Sequence, residues 1–199
     1  LRILRYFKVG KIIRVEEPDH HAVKMGTPTM GGVMFIAPVL LLTLLLNASS
    51  LFGVTGIGRS ILIPLIVMVA YAVLGAVDDW EGIRGPRRGE GMRSRTKFII
   101  QVLLALVTAW ALKYLLQVPD LYLPGYPIEI SLGIWYVPLA AFIIVSMSNA
   151  VNFTDGLDGL AGLIAATAFV AYGGIALMQG QTYVARFCFI MTGALFGYL

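Results

Sequence analysis

The sequence predicts an all-α fold, a polytopic transmembrane helical bundle of five full spans and a truncated sixth, and three observations carry that prediction. Of its 199 residues, 58% are apolar and only 13% are charged, where soluble domains carry about 25% charged residues. Six apolar runs recur between short polar connections, at 33–46, 60–77, 98–116, 134–148, 160–178 and 184–199. Lysine and arginine concentrate in alternate connections, as they do in membrane proteins of fixed orientation.

Residues 1–32 come first and are polar and basic, with Arg2, Arg5, Lys8, Lys11, Arg14 and Lys24 set among aliphatics. Such a segment either lies against anionic headgroups as a juxtamembrane helix or forms the solvated end of a preceding span. It ends in the glycine- and proline-rich string from Lys24 to Gly32, which marks a fixed turn. The runs that follow approach the length of about 20 residues that a span needs, and the first and fourth gain a turn from their flanks. Pro38, Pro64 and Pro138 fall inside runs, where neighbouring helices re-satisfy the backbone. Cys188 precludes an internal disulfide and reads as a small buried hydrophobe. Leu1 is not a methionine and the last run stops at Leu199, so the chain reads as one integral-membrane domain, 1–199, cut from a longer protein.

Charge fixes the orientation. Segment 1–32 holds six Lys or Arg, the stretch 79–97 holds six more, and the connections 47–59 and 117–133 hold only Arg59. The rich side is cytoplasmic. Parity then puts three polar elements on that face: the turn at Lys24–Gly32, the loop 78–97 with Asp78 and Asp79, and the loop 149–159. The outer connection with Pro119, Pro124, Gly125 and Pro127 reads as a link only.

Chemistry gathers in those three elements. Asp78 and Asp79 adjoin at the end of a span, where a divalent cation would keep both ionised; a solvated pair balanced by Arg84 is the plainer alternative. The loop 149–159 carries Asn149, Asn152, Asp155 and Asp158 at steps of three, with Gly156 and Gly159 breaking any continuous helix. Polar groups beside hydrocarbon are costly unless something polar meets them. A helix ending near Asn152 and turning over would bring all four to one cavity. The turn 26–32 could cradle phosphate through its N–H groups, although a structural turn explains it equally. His20 and His21 could titrate or bind metal, or simply lie at a basic surface. Lys113 snorkels at the outer end of its span. Carboxylates for a hard cation, basic residues for phosphates and amides for a polar head group suit phosphoryl transfer, which needs mainly positioning and charge neutralisation. The basic clusters serve membrane and substrate, and no nucleic-acid partner is expected.

At this point the strings Lys24-Met25-Gly26-Thr27-Pro28-Thr29-Met30-Gly31-Gly32, Gly75-Ala76-Val77-Asp78-Asp79-Trp80 and residues 149–161 resemble, in order and loop position, the phospho-N-acetylmuramoyl-pentapeptide transferase (MraY) family of polyprenyl-phosphate sugar-1-phosphate transferases. The resemblance implies an enzyme of the bacterial inner (cytoplasmic) membrane, active face cytoplasmic, that acts in peptidoglycan synthesis. It implies that undecaprenyl phosphate attacks the β-phosphate of UDP-N-acetylmuramoyl-pentapeptide, that lipid I forms and UMP leaves, and that Mg2+ is the cofactor. Asp78 and Asp79 match the family's aspartate pair, for metal contact or catalysis. Lys24, Thr29, Asn152, Asp155, Gly156 and Asp158 match nucleoside-pocket positions. Asn149 matches a further functional asparagine, His21 a family histidine, and Arg95 and Lys97 basic positions that face phosphate. Where the family has lysines after the aspartates, this chain has Glu81, Gly82, Arg84, Pro86, Arg87 and Arg88. The family fold has about ten spans, with another magnesium aspartate and a histidine-rich motif in its second half; the segment 1–199 lacks these and is expected to be inactive alone. A related transferase using UDP-N-acetylglucosamine is the nearest alternative. An ion-coupled transporter fits less well, since it calls for carboxylates in mid-span and an internal repeat. The sequence leaves a homodimer open.

Overall fold

In the computed structural model the described residues are 30–47, 61–84, 91–118, 121–122, 128–155 and 159–199. They form six α-helices: α1 (Val33–Leu46), α2 (Leu62–Arg84), α3 (Ser94–Tyr114), α4 (Tyr136–Thr154), α5 (Leu160–Met178) and α6 (Thr182–Tyr198). Each grows from one of the six apolar runs, and the chain is the polytopic helical bundle that composition predicts. By length and composition α2, α3, α5, and α4 together with the 3-10 turn Gly133–Trp135 before it, can each cross a bilayer. Helix α1 has 14 residues, a rise of about 21 Å against a hydrocarbon core of about 30 Å.

The bundle hides little and exposes much, as a protein bathed in lipid does. Val107 is 66% exposed and Phe142 69% exposed, on faces a soluble domain would cover. Two cores hold the helices together. Val39 of α1, Leu65 of α2, Ala166 of α5 and Phe187, Cys188, Met191 and Leu195 of α6 form the first. Cys188 is buried there, the place of a small hydrophobe. Ala105 and Ala109 of α3 meet Ala141 of α4 in the second. Hydrocarbon tails are as apolar as leucine, so association in a bilayer depends on close contact through small residues. Gly173 follows that rule: a Cβ there would lie 3.0 Å from the Phe189 ring and 3.3 Å from Cys188.

Helix boundaries depart from the apolar runs in an informative way. Helix α2 does not stop at Val77 but continues through both aspartates to Arg84. Arg84 stacks on Trp80 one turn earlier, 4.7 Å from its ring centroid, and stabilises the extension. Helix α3 starts at Ser94 rather than near 98, so among the described residues of 78–97 most are helical rather than loop. Helix α4 likewise runs through Asn149 and Asn152 to Thr154. Gly159, at φ 80°, supplies the left-handed turn from which α5 starts, a conformation that costs glycine almost nothing. The outer connection is more than a link: Leu121–Tyr122 and Glu129–Ile130 pair as a short antiparallel ladder, with Leu121 opposite Ile130.

Candidate active site

The start of α1, the end of α2 and the start of α3 meet at one end of the bundle, and Asp78 and Asp79 are the joint. Successive residues of an α-helix point about 100° apart, so the two carboxylates face different neighbours. Asp78 turns to α3. Its Oδ1 accepts the Met92 N–H at 2.9 Å and its Oδ2 pairs with Lys97 Nζ at 2.9 Å. Asp79 turns to α1, and its Oδ2 accepts the Met30 N–H at 2.9 Å. Carboxylates near a helix C-terminus oppose the helix dipole, but Asp78 also lies against the N-terminus of α3, where negative charge is favoured. The mutual repulsion anticipated for the pair is thus relieved by a lysine and two backbone donors.

Two backbone positions make this joint possible. Gly91, at φ 70°, sits so close to α2 that a Cβ would be 2.9 Å from Asp78 Oδ1 and 3.1 Å from the Asp78 carbonyl oxygen. Met30 has φ 65°, a left-handed conformation uncommon in a non-glycine residue. It presents the Met30 N–H to Asp79, so local strain is spent at the site.

A cavity of about 720 Å³ opens between α1 and α2. Asp78, Asp79, Lys97 and Asn152 line it, with Met30 and Gly32 beside them, and the rest of its wall is almost wholly apolar. Of the residues singled out from sequence, these four are brought together. Asn149 is not. It lies one helical turn deeper, where its Nδ2 donates to Gln101 Oε1 at 3.2 Å and to the Val145 carbonyl at 2.8 Å. Residues three apart on a helix are rotated by about 60°, and this separates Asn149 from Asn152, so the steps of three do not aim all the polar groups one way. Arg95 is exposed on α3, and Asp155 is exposed at the end of α4. His21, Lys24, Thr29, Gly156 and Asp158 lie outside the described residues.

Gln101 is the residue the sequence reading passed over. It is 5% exposed, lies one turn below Lys97 on the same face of α3, and receives Asn149 from α4. Helix α3 therefore ties α2 through Lys97 and α4 through Gln101. An amide in an apolar run, four residues after a lysine, was the available signal.

Magnesium binds through one or two carboxylates and completes its shell with water and substrate phosphate. Asp79, on the cavity wall with one oxygen engaged by Met30, fits that demand. Asp78, with an oxygen committed to Met92 and the other to Lys97, fits it less well. Among the described residues no group of three or more His, Cys, Asp or Glu converges, so the described residues alone would supply only part of a magnesium shell.

Residues 61–199 match the family described as Glycosyl transferase family 4. The chain belongs to that family. Residues 24–36, which run into α1 through Met30, match the phospho-N-acetylmuramoyl-pentapeptide-transferase signature 1. A phospho-N-acetylmuramoyl-pentapeptide-transferase of Chloroflexus aurantiacus is 43% identical across 100% of this chain and 54% of its own length. Enzymes of the same description from Geobacillus sp. and Bacillus subtilis are 40% and 38% identical, over 98% of this chain and 59% of theirs. The chain thus spans little more than half the length of the curated relatives it matches, and the match places the Asp78–Asp79 joint inside the family's shared region.

Proposed function

We propose that the protein transfers phospho-N-acetylmuramoyl-pentapeptide from its UDP-linked form to undecaprenyl phosphate, as part of a chain of the length its relatives have. The observation that carries this reading is the meeting of two family segments at one joint: the signature over 24–36 delivers Met30 onto Asp79 of α2. In the reaction an oxygen of the lipid phosphate attacks the β-phosphorus of the nucleotide. The new P–O bond forms, the bond to the bridging oxygen breaks, and UMP departs with that oxygen. A phosphate monoester, with a second pKa near about 6, is largely dianionic at pH 7, so the attacking oxygen needs placement more than deprotonation.

This chain's residues supply that placement. Lys97, held by Asp78, sets a positive charge at the cavity mouth against phosphate oxygens. Asp79, oriented by Met30, is the carboxylate for a magnesium ion, whose chemistry when bound is to neutralise diphosphate charge. Asn152, on the cavity wall, faces the nucleotide. The basic connections support a cytoplasmic position for this end of the bundle, where a UDP-linked donor is available. Supplying the full-length protein in membranes with radiolabelled UDP-N-acetylmuramoyl-pentapeptide and undecaprenyl phosphate should yield a labelled lipid and unlabelled UMP. Transfer from UDP-N-acetylglucosamine alone would overturn the assignment of donor.

A further inference from the structure

Met30 gives its N–H to Asp79 from a left-handed conformation, φ 65°, that its own side chain does not favour. Contacts outside the turn must therefore hold it there. Its neighbour Gly31 shows where they come from. A Cβ added at Gly31 would lie 2.6 Å from Tyr198 Oη and 3.3 Å from the ring carbon that bears it. The last turn of α6 is thus pressed onto the turn that leads into α1. Gly31 is not in the left-handed region, so its small size answers the approach of Tyr198 and not a backbone need. The Tyr198 ring is fixed in turn by an edge contact with Phe35 of α1, the centroids 5.7 Å apart, a favoured aromatic geometry.

The prop has a firm seat and a short path to Asp79. Beside it, Leu199 packs on the first turn of α5, where a Cβ at Gly159 would be 2.9 Å from Leu199 Cδ2 and one at Gly162 3.1 Å. Further along α6, Phe187, Cys188, Met191 and Leu195 lock the helix into the core that Val39 of α1 and Ala166 of α5 share. On the other side, the Met30, Gly31 and Gly32 carbonyls accept the N–H groups of Val33, Met34 and Ile36 at 3.1, 3.0 and 2.9 Å. The turn therefore moves only together with the start of α1. We infer that Tyr198 is a positioning residue for the transfer: it holds the Met30–Gly31 turn against α2 and so keeps the Asp79 carboxylate aimed at the cavity. It acts through Met30 rather than on the reacting phosphates. Its effect on transfer rests on the transferase reading, while the bracing of Met30 does not.

The test uses the full-length protein, with turnover and amide hydrogen exchange read side by side. Tyr198→Leu removes the prop but leaves an apolar side chain for Phe35. It should lower kcat about tenfold with the KM for nucleotide changed by less than about twofold. Exchange in the peptide that contains Met30 should quicken about tenfold, while peptides of α3 and α4 exchange as before. Tyr198→Phe keeps the ring and should retain most of both properties. Gly31→Ala drives a Cβ into the hydroxyl and should slow turnover by a similar factor. Adding Tyr198→Phe to Gly31→Ala leaves only ring carbons at 3.3 and 3.4 Å, contacts that a small shift relieves, and should restore most of the rate. Native exchange at Met30 in Tyr198→Leu, or quickened exchange throughout the bundle, overturns the inference. So does a Gly31→Ala defect that Tyr198→Phe leaves untouched, and this pair decides the matter if Tyr198→Leu fails to fold. Exchange needs no turnover, so a protein that loses protection at Met30 yet transfers no sugar phosphate would refute the transferase reading and leave the brace standing.

Discussion

Replacing Gly91 with alanine tests the Asp78 joint where it has least tolerance. Alanine must hold φ near 70°, a left-handed conformation that costs a non-glycine residue roughly 1–2 kcal/mol. Its Cβ would also stand 2.9 Å from Asp78 Oδ1, closer than real Cβ atoms come, and 3.1 Å from the carbonyl behind it, a tight contact to backbone. Either Asp78 turns away or the segment lifts off α2, and in both cases the Met92 N–H to carboxylate bond is lost. A hydrogen bond to a charged group contributes about 1.5–3 kcal/mol, so the combined loss is about 2.5–5 kcal/mol. Thermal unfolding of the detergent-solubilised full-length protein should show a lowered midpoint, and lipid-linked product should form more slowly. Gly91→Asn separates the two causes. Asparagine accepts the left-handed conformation but carries the same Cβ, so it should remain nearly as damaged as alanine. Pairing Gly91→Ala with Asp78→Ala should cost less than the sum of the two, because the clash then has lost its partner. A Gly91→Ala protein with native midpoint and native turnover, or an additive double variant, would refute the argument that this contact sets the joint.

Three further outcomes follow from the same geometry. Lys97→Met removes the cation at the cavity mouth and leaves Asp78 unpaired, so kcat in the transfer assay should fall by about a hundredfold, with Arg95→Met, on the exposed face, much milder. Gln101→Leu keeps volume but deprives the Asn149 amide of one of its two acceptors, at a cost of about 1 kcal/mol; a lowered unfolding midpoint partly restored by Gln101→Glu checks it, and no change in either variant would show that the α3–α4 bond is idle. Gly173→Val forces α5 and α6 apart at Phe189 and Cys188 and should destabilise the protein by about 1–3 kcal/mol, read as a lower midpoint with the KM for nucleotide unaltered.

Much of the architecture was legible in the residues because the bilayer imposes simple demands. Backbone polar groups in hydrocarbon must be satisfied within each segment, so six apolar runs had to become six helices. Local chemistry was equally legible at Gly159, where only glycine enters the required turn cheaply, and at Asp78 and Asp79, whose charge beside an apolar span asked for partners. Hydropathy could not tell where α2 ends, since polar residues leave the membrane long before a helix needs to stop. Trp80 stacking with Arg84 carried the helix two turns further. Which way Asn149 and Asn152 point was also hidden, because it depends on continuous helical rotation that the glycines seemed to interrupt earlier.

The residues by themselves determined that this is a membrane bundle of glycosyl transferase family 4 and which connections carry its positive charge. Those properties follow from composition, from periodicity and from matches along the chain. Only the tertiary structure decided who meets whom: Asp78 with Lys97, Asp79 with Met30, Asn149 with Gln101, and α1 with α2 around the cavity. The three residue pairings join positions 19 to 49 apart. They are fixed by the rotation of each helix about its axis and the close approach that Gly91 permits, and neither quantity is written in any single stretch of the chain.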